Sequence, residues 1–301
     1  MMPAFEARGK LMLTAEYFVL DGATSLALPT VFGQKMTVET TVEDSVFWKS
    51  IDQNGNTWFE TTLPLSLDAA DEGDPIARKL LEILLEARKG NSSFLAKGAR
   101  VSVQANFDLQ WGLGSSSTLI ALVAQWAQID PYALQFACFG GSGYDIACAT
   151  ANGPILYEKL PHPMAQEVYF SPSFTDQLYF VYLGQKQNSR EGIKHYRSMG
   201  SEGKSDTIEL LNTITQALLQ KTDFDTFCSL LLRHEELVGK ALHMEPVQSR
   251  LFPDFSGTIK SMGAWGGDFV LAASRMEAEE TTAYFKGKGM GVVIPYAQMV
   301  L

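Results

Sequence analysis

The sequence has few cysteines, no long apolar run and no secretion signal. Its three cysteines, Cys138, Cys148 and Cys228, form no CxxC pair and no metal-ligand spacing with histidine, which excludes a disulfide scaffold and argues against a zinc site. No window approaches the ~18 consecutive apolar residues of a membrane-spanning helix, and the first residues lack a basic flank followed by an apolar core. We therefore expect a cytoplasmic protein with buried free thiols and no membrane partner.

Positive charge is also scarce. The 301 residues include 24 Lys and Arg against 34 Asp and Glu, so the formal net charge is -10. A surface of this sign does not attract phosphate backbones, which makes nucleic acid an unsuitable partner. An anionic ligand would need a local positive site, built from backbone N–H groups, a helix N-terminus, a metal ion or a few lysines.

The remaining composition is that of an ordinary globular protein. Hydrophobic residues make up 46% and charged residues 19% of the chain, which excludes a disordered or collagen-like protein. At about 150 residues per domain the length suits two domains, and a change in sequence texture predicts a division into 1–157 and 158–301. Strands mixed with helices and hairpins favour an α+β fold over a doubly wound parallel sheet.

Turn and cap signals predict individual elements. Asn54-Gly55 between two β-rich runs predicts a hairpin, and Asp74 before Pro75 predicts a helix over 75–89. Residues 4–20 read as an extended stretch interrupted at Gly9-Lys10. Apolar periodicity predicts further strands over 100–109, 167–171, 177–183, 268–273 and 291–294, and further helices over 118–129, 131–139, 205–220, 223–243 and 276–286.

The strongest single feature is the run WGLGSSST at 111–118, between a predicted strand and a predicted helix. Glycines permit a tight turn, the N–H groups at the helix start point outward, and the helix dipole favours negative charge there. The run matches neither the GxxxxGK[ST] nor the GxGxxG pattern. In isolation a plain glycine turn with a serine cap is the better explanation, so other motifs must decide.

Three further features carry possible chemistry. Asp145 lies in the glycine-rich run GSGYD, where it could accept a proton from a substrate hydroxyl or simply cap a helix. Lys10 is a lone cation in an apolar stretch, with a solvated surface lysine as the alternative. The run KSMGAWGGD at 260–268 is a glycine-rich turn before a strand, where backbone can approach a ligand, or else an ordinary loop.

Taken in order, these four segments resemble the GHMP kinases, the family of galactokinase, homoserine kinase, mevalonate kinase and phosphomevalonate kinase. The resemblance spans residues 4–272 and rests on ARGKLMLTAEYFVLDG, WGLGSSST, GSGYDIA and KSMGAWGGDF. GSGYDIA and GAWGGDF are most similar to phosphomevalonate kinases. The resemblance implies a two-domain α+β fold, in which the N-terminal domain has a left-handed β-α-β crossover and the C-terminal domain is a ferredoxin-like α/β sandwich.

The resemblance also implies roles for individual residues. Asp145 would act as the base or orienter of the acceptor oxygen, and Lys10 would stabilise charge on the transferring phosphoryl group. The ATP phosphates would be held by Gly112, Leu113, Gly114, Ser115, Ser116 and Ser117. Ser116, or else Ser115, would ligate Mg²⁺. The acceptor side would be formed by Glu16, Ser142, Gly143, Arg190, Gly263, Ala264, Gly266 and Gly267.

Two of these acceptor-side residues have simpler explanations, and one expected residue is missing. Glu16 would pair with Lys10 or contact the acceptor, but an ordinary surface carboxylate is an equal alternative. Arg190 suits an anionic group of the substrate, although a solvated helix start explains it too. Many members carry a Mg²⁺-ligating Glu before the Asp145 segment, where PYALQFACFGG offers only Gln135.

The function implied is an ATP- and Mg²⁺-dependent small-molecule kinase of isoprenoid biosynthesis that acts on phosphomevalonate or mevalonate. Two alternatives stay open. One is a catalytically weak nucleotide- or metabolite-binding regulator, suggested by Gln135 and by the bulk of Trp265. The other is a diphosphomevalonate decarboxylase relative, which the residues around Asp145 disfavour. The expected partner is a small molecule, and a homodimer is the assembly considered.

Overall fold

The computed structural model describes residues 3–67, 73–185, 189–200, 203–265 and 267–301, with the backbone alone at 189 and 190. The chain forms two compact units. The first unit comprises Met1–Gly9, Phe32–Leu109 and Leu113–Thr150, and the second comprises Lys10–Val31, Gln110–Gly112 and Ala151–Leu301. Since these units interleave along the chain, the predicted division into 1–157 and 158–301 stays a prediction.

Strands and helices are mixed along the described chain, in runs of one to four elements of the same kind. The strands are β1 (Ala4–Met12), β2 (Ser25–Thr41), β3 (Ser45–Ile51), β4 (Thr57–Pro64), β5 (Gly98–Ala105), β6 (Ile155–Glu158), β7 (Met164–Glu167), β8 (Leu178–Tyr182), β9 (Thr258–Ser261), β10 (Phe269–Ala273) and β11 (Val293–Pro295). The helices are α1 (Pro75–Gly90), α2 (Ser115–Ala127), α3 (Pro131–Cys138), α4 (Tyr144–Thr150), α5 (Ser189–Ser198), α6 (Lys204–Leu218), α7 (Phe224–Leu242), α8 (Val247–Leu251), α9 (Ala278–Gly287) and α10 (Tyr296–Met299). Within the described ranges, no helix combines the length and the hydropathy that crossing a bilayer requires.

The first unit is a sheet covered by helices. Its strands follow the order β4-β3-β5-β2, in which β3 and β4 form the predicted hairpin and β3 runs parallel to β5. Helices α1 and α2 pack together and contribute to one apolar core with the sheet. The predicted cap of α1 is confirmed, because Asp74 accepts hydrogen bonds from the N–H groups of Ile76 and Ala77.

The second unit contains a four-stranded antiparallel sheet in the order β11-β8-β10-β9. Along the chain this sheet reads strand, helices, two strands, helix, strand, which is the ferredoxin-like arrangement. Helix α7 packs on α6 and on β9. In the same unit the first residues of β2 pair with β6, and β6 pairs with β7. The predicted ferredoxin-like part is therefore confirmed.

Several predicted boundaries are wrong. The break at Gly9-Lys10 is absent because Ala7, Gly9 and Leu11 continue one buried face, so β1 runs on to Met12. The strand expected over 167–171 is misplaced, because β7 spans Met164–Glu167 with all four residues exposed and residues 168–171 form no strand. The strand expected over 100–109 ends at Ala105, where the side chain of Asn106 accepts from the backbone N–H of Gly33.

The close approach of β1 to β2 in the first unit generates a stability prediction. A Cβ on Gly33 would lie 2.2 Å from the backbone oxygen of Ala7. Because backbone must move to relieve this clash, Gly33→Ala should lower the free energy of unfolding by about 3 kcal/mol, at the upper end of overpacking effects. Urea denaturation measures the change. Gly153→Ala is the control, since a Cβ there meets nothing within 4 Å, and equal stabilities of the two variants would contradict the packing described.

Candidate active site

The predicted phosphate loop, Leu113–Ser117 in the first unit, leads into helix α2. The N-cap is Gly114, whose φ of 92° is left-handed and which provides no side chain to bond the first N–H groups. The Ser117 hydroxyl donates to the Gly114 carbonyl at 2.9 Å, whereas Ser116 is exposed and Ser115 half-exposed. Helix α2 starts three residues before its predicted start, so these serines form its first turn. The arrangement offers backbone donors and a hydroxyl to an anion.

Asp145 occupies the first turn of α4 and is half-buried. The bend before it depends on glycine, because Gly140, Gly141 and Gly143 all have left-handed φ values of 67°, 93° and 89°. Ser142 and Gly143 are buried in this bend. Helix α4 packs against α2 within the first unit. The structure thus places the predicted phosphate loop and Asp145 at the starts of two packed helices, and the roles of both stay predictions.

Gln135 lies beside the same glycine bend. It is 6% exposed, and its Nε2 donates to the Gly140 carbonyl at 3.1 Å. Its Oε1 has no hydrogen-bond partner among the described residues. A buried amide oxygen without a partner is costly, so this atom is an acceptor available to a ligand or to a water.

The donors in this unit fit a Mg²⁺ ion that is held mainly by its nucleotide. Mg²⁺ is commonly bound through one or two carboxylates together with substrate phosphates and waters. The Ser116 hydroxyl and the Asp145 carboxylate are donors of this kind. Over the described ranges, no group of three or more His, Cys, Asp or Glu could hold a metal ion, so the phosphates would have to supply the larger share of the oxygens.

The second unit contains a small cavity with Lys10 in its wall. The cavity is also lined by Trp111, Gly112, Gly263 and Asp268. The Lys10 ammonium donates to the Gly112 carbonyl at 2.9 Å. Lys10 is half-buried, which contradicts the alternative of a solvated surface lysine. Its charge therefore lies beside Gly112, a residue of the same unit.

Asp268 is a candidate functional residue that the sequence pattern did not single out. A Cβ on Gly112 would lie 2.3–2.5 Å from the carboxyl atoms of Asp268, so only glycine fits at position 112. Both residues have left-handed φ values, 68° for Gly112 and 51° for Asp268. The residues before Gly112 are held as well, because the Tyr182 hydroxyl donates to the Gln110 carbonyl at 3.0 Å. The cavity thus combines an ammonium group with a carboxylate.

The turn after β9 is fixed by a hydrogen bond from another segment of the second unit. The Ala264 carbonyl accepts from the Tyr17 hydroxyl at 2.9 Å, and Gly263 has a left-handed φ of 62°. The Trp265 ring is 3% exposed and packs in an apolar cluster with Ala15 and Tyr17. Its bulk is therefore accommodated by the core and does not fill the cavity.

Glu16 is not a surface carboxylate and does not pair with Lys10, and both expectations are wrong. It is 1% exposed, and its Oε1 lies 2.5 Å from the ammonium of Lys260, which is fully buried in β9. Burial raises the pKa of Glu16 to about 7, and the Lys260 charge opposes this shift. The surrounding sequence hides the pairing, because Lys260 reads as the start of a glycine loop.

Three predicted acceptor-side positions add little to the site. Arg190 lies in α5, but its side chain is outside the described part of the chain, as is Gly266 altogether. Gly267 is buried after the turn. Trp111 packs edge-on against Phe269, with ring centroids 5.8 Å apart.

Comparison with known proteins shows the fold. No family model and no curated protein matches the sequence. The Methanococcus jannaschii mevalonate kinase structure matches with a TM-score of 0.75 at 15% identity, over 98% of this chain and 97% of that chain. Streptococcus pneumoniae phosphomevalonate kinase, in complex with phosphomevalonate and AMPPNP, gives 0.70 at 17% identity over 95% and 96%. Lactococcus lactis galactokinase, complexed with galactose, gives 0.68 at 12% identity over 96% and 89%. The chain therefore has the two-domain α+β fold of GHMP kinases, as expected.

The contact between Gly112 and Asp268 generates a second stability prediction. Gly112→Ala combines a left-handed alanine, which costs about 1–2 kcal/mol, with the clash against the Asp268 carboxyl. We expect a larger loss of unfolding free energy than in Gly140→Ala, where φ is also left-handed but a Cβ meets nothing within 4 Å. Adding Asp268→Gly to Gly112→Ala should recover part of the difference. Equal losses at positions 112 and 140 would show that the carboxyl is not against Gly112.

The burial of Glu16 generates a pH prediction. Its pKa is about 7 in the folded chain, against 4.5 for an exposed glutamate, so the folded protein holds more protons between these values. The Glu16 contribution to the free energy of unfolding therefore decreases as the pH rises through this window, at up to about 1.4 kcal/mol per pH unit. Glu16→Gln cannot titrate, so its stability relative to the wild type should increase from pH 4.5 to 7. Urea denaturation across the window measures this, and a constant difference would contradict it.

Proposed function

We propose that this chain, which has the GHMP kinase fold, transfers the γ-phosphoryl group of ATP to phosphomevalonate or mevalonate. The observation that carries the proposal is the start of α2. There a left-handed glycine N-cap precedes three serines and leaves the first N–H groups to an anion. A protein of net charge -10 needs such a local site to bind a polyphosphate. The structural likeness to mevalonate and phosphomevalonate kinases supports the choice of acceptor.

The residues divide the work of phosphoryl transfer, in which positioning and charge neutralisation supply most of the rate. The N–H groups of Ser115, Ser116 and Ser117 bind the phosphates. Lys10 neutralises charge on the transferring group, and Asp145 orients the acceptor oxygen. A bound Mg²⁺ ion would supply further neutralisation of the phosphate charge, with the Ser116 hydroxyl and the Asp145 carboxylate as the protein ligands that fit it.

The two acceptors place different demands on Asp145. In the transfer, a bond forms between the acceptor oxygen and the γ-phosphorus, the bond from the γ-phosphorus to its bridging oxygen breaks, and ADP leaves. The hydroxyl of mevalonate must also lose a proton, which the Asp145 carboxylate accepts. The terminal phosphate of phosphomevalonate is already largely deprotonated at neutral pH, because its second pKa is about 6 by analogy with phosphorylated side chains. With that acceptor, Asp145 only orients.

The direct test is ADP release from ATP in the presence of Mg²⁺ and a panel of acceptors. Phosphomevalonate or mevalonate should give turnover, whereas homoserine and galactose should not. ADP release only with another acceptor would overturn the proposed substrate but not the kinase reaction. Tight ATP binding by calorimetry without turnover on any acceptor would favour the regulator instead. Carbon dioxide release from diphosphomevalonate would identify a decarboxylase.

Replacing the two charged residues tests their roles. Asp145→Asn should reduce kcat by about 10²–10⁴ if the acceptor is a hydroxyl, and by less if it is a phosphate oxygen. The control is Asp130→Asn, because Asp130 caps α3 through the N–H of Tyr132 and asparagine caps equally well. Circular dichroism would confirm that both variants fold. A wild-type rate for Asp145→Asn would remove Asp145 from the mechanism.

Lys10→Met should also reduce kcat, by about 10²-fold or more, because methionine has no charge to replace the ammonium beside the transferred group. Lys35→Met is the control, since Lys35 forms only an exposed ion pair with Glu6. Steady-state kinetics on the acceptor found above measures both. A Lys10→Met variant that changes only KM for ATP would show that the lysine contributes uniform binding of the nucleotide.

A further inference from the structure

A buried cluster of ionisable side chains lies in the second unit, away from the wall of the Lys10 cavity. Glu16 pairs with Lys260 at 2.5 Å, and the Lys260 ammonium also donates to the Ser261 carbonyl at 2.7 Å. Glu235 of α7 accepts from the Ser261 hydroxyl at 2.7 Å. His234, also on α7, lies 3.3 Å from Glu16 Oε2. All of these side chains are at least 97% buried.

The histidine in this cluster is neutral. Its Nε2 accepts a hydrogen bond from the backbone N–H of Ala15 at 2.8 Å, which leaves the proton on Nδ1. Burial, together with the nearby Lys260 charge, holds the pKa of His234 well below its usual range. The contact between His234 and Glu16 is therefore not an ion pair. Glu16 therefore faces the positive charge of Lys260, which lies on β9. Glu16 also faces His234 and Glu235, which lie on α7.

The cluster holds a strained segment in place. Ala15 and Tyr17 flank Glu16 with left-handed φ values of 63° and 65°. Such values in residues other than glycine persist only where surrounding contacts enforce them, and they concentrate at functional sites. Here the contacts are the His234 bond to Ala15, the Lys260 pair with Glu16 and the Tyr17 bond to the Ala264 carbonyl.

These contacts join two chain segments that both line the cavity. One segment includes Lys10 and Met12, and Met12 lies four residues before Glu16. The other segment includes Met262 and Gly263, which directly follow Lys260 and Ser261. The ion pair thus fixes the distance between the strand that carries Lys10 and the glycine turn, without touching the cavity itself.

The cluster contains features that lower the stability of the fold. Glu16 Oε2 and His234 Nδ1 have no hydrogen-bond partner within the described ranges, and unsatisfied buried polar atoms destabilise the folded state. Well-packed apolar side chains often stabilise a core as much as a buried ion pair or more. A polar cluster that leaves two atoms unsatisfied, beside strained backbone, indicates a requirement other than stability.

We propose that the Glu16–Lys260 pair is a positioning device for phosphoryl transfer, which sets Lys10 and the glycine turn at the separation that the transferring group requires. This inference rests on the proposed function. Lys260 and Glu16 are positioning residues, because they act through the segments they join and do not contact the substrate.

The test compares Lys260→Met with the double variant Glu16→Gln/Lys260→Met. Lys260→Met removes the counter-charge of the buried Glu16 carboxyl group, which must then stay ionised in the interior or take up a proton, and this should lower thermal stability. The double variant has no ionisable group at either position and should recover most of the loss. The recovered stability of the double variant should not restore its turnover. We expect kcat to fall by about tenfold or more in both, with KM for ATP changed by less than about threefold, because a small misplacement near the reacting group is costly.

Hydrogen exchange provides a readout that does not depend on activity. Amides in peptides covering residues 10–17 and 262–265 should exchange about tenfold faster or more in both variants, because the link between the segments is lost. Lys288→Met is the matched control, since Lys288 forms an exposed pair with Asp254 in the same unit. It should change neither exchange in these peptides nor kcat.

The outcomes separate the two proposals. If the wild type turns over no acceptor, the proposed function fails, and unchanged exchange in the Lys260 variants would independently refute the positioning role. If the wild type is active, a double variant with wild-type kcat would overturn the positioning device and show that the pair only stabilises the fold. Faster exchange together with reduced kcat in the stable double variant is the result we expect.

Discussion

The proposed function depends on one interaction, between the N–H groups in the first turn of α2 and the phosphates of a nucleotide. A chain with ten more acidic than basic residues has an overall field that repels a polyphosphate, so the proposed binding of a nucleotide would require a local site of positive potential. Gly114 makes this possible, because its left-handed conformation starts the helix and it has no side chain to occupy the donors. Ser117 satisfies the Gly114 carbonyl through its hydroxyl, while exposed Ser116 stays accessible to a ligand. The sequence order of glycine, leucine, glycine and serines is thereby explained by backbone geometry.

Each unit positions a different set of candidate residues through its own packing. The first places Asp145 on a helix that packs against α2, after a bend that three glycines allow. The second holds Lys10 against the Gly112 carbonyl and fills the space beside Gly112 with the Asp268 carboxyl. Glycine at position 112 is therefore required by a neighbouring side chain as well as by its φ value. Deeper in this unit, the buried pair of Glu16 and Lys260 connects the segments that bear these groups.

Local signals in the sequence predicted the elements well where a turn or a cap defined them. The Asn54-Gly55 hairpin and the helix capped by Asp74 both formed as predicted, since their causes lie within a few residues. Pairings over long sequence separations were not predictable in this way. Glu16 and Lys260 are 244 residues apart, and neither pattern nor spacing links them. One signal was present: His234 and Glu235 fall on the face of α7 that also buries Leu231 and Val238, which is unusual for ionisable residues.

The central claim is that the phosphates of a nucleotide bind at the start of α2, and amide NMR tests it most directly. Titration of ¹⁵N-labelled protein with AMPPNP and Mg²⁺ should shift the backbone amide resonances of Ser115, Ser116 and Ser117. The start of α1 provides the reference, because the N–H groups of Ile76 and Ala77 are already bonded to Asp74, and they should not shift. Saturable binding that leaves the three serine amides unchanged would contradict the account.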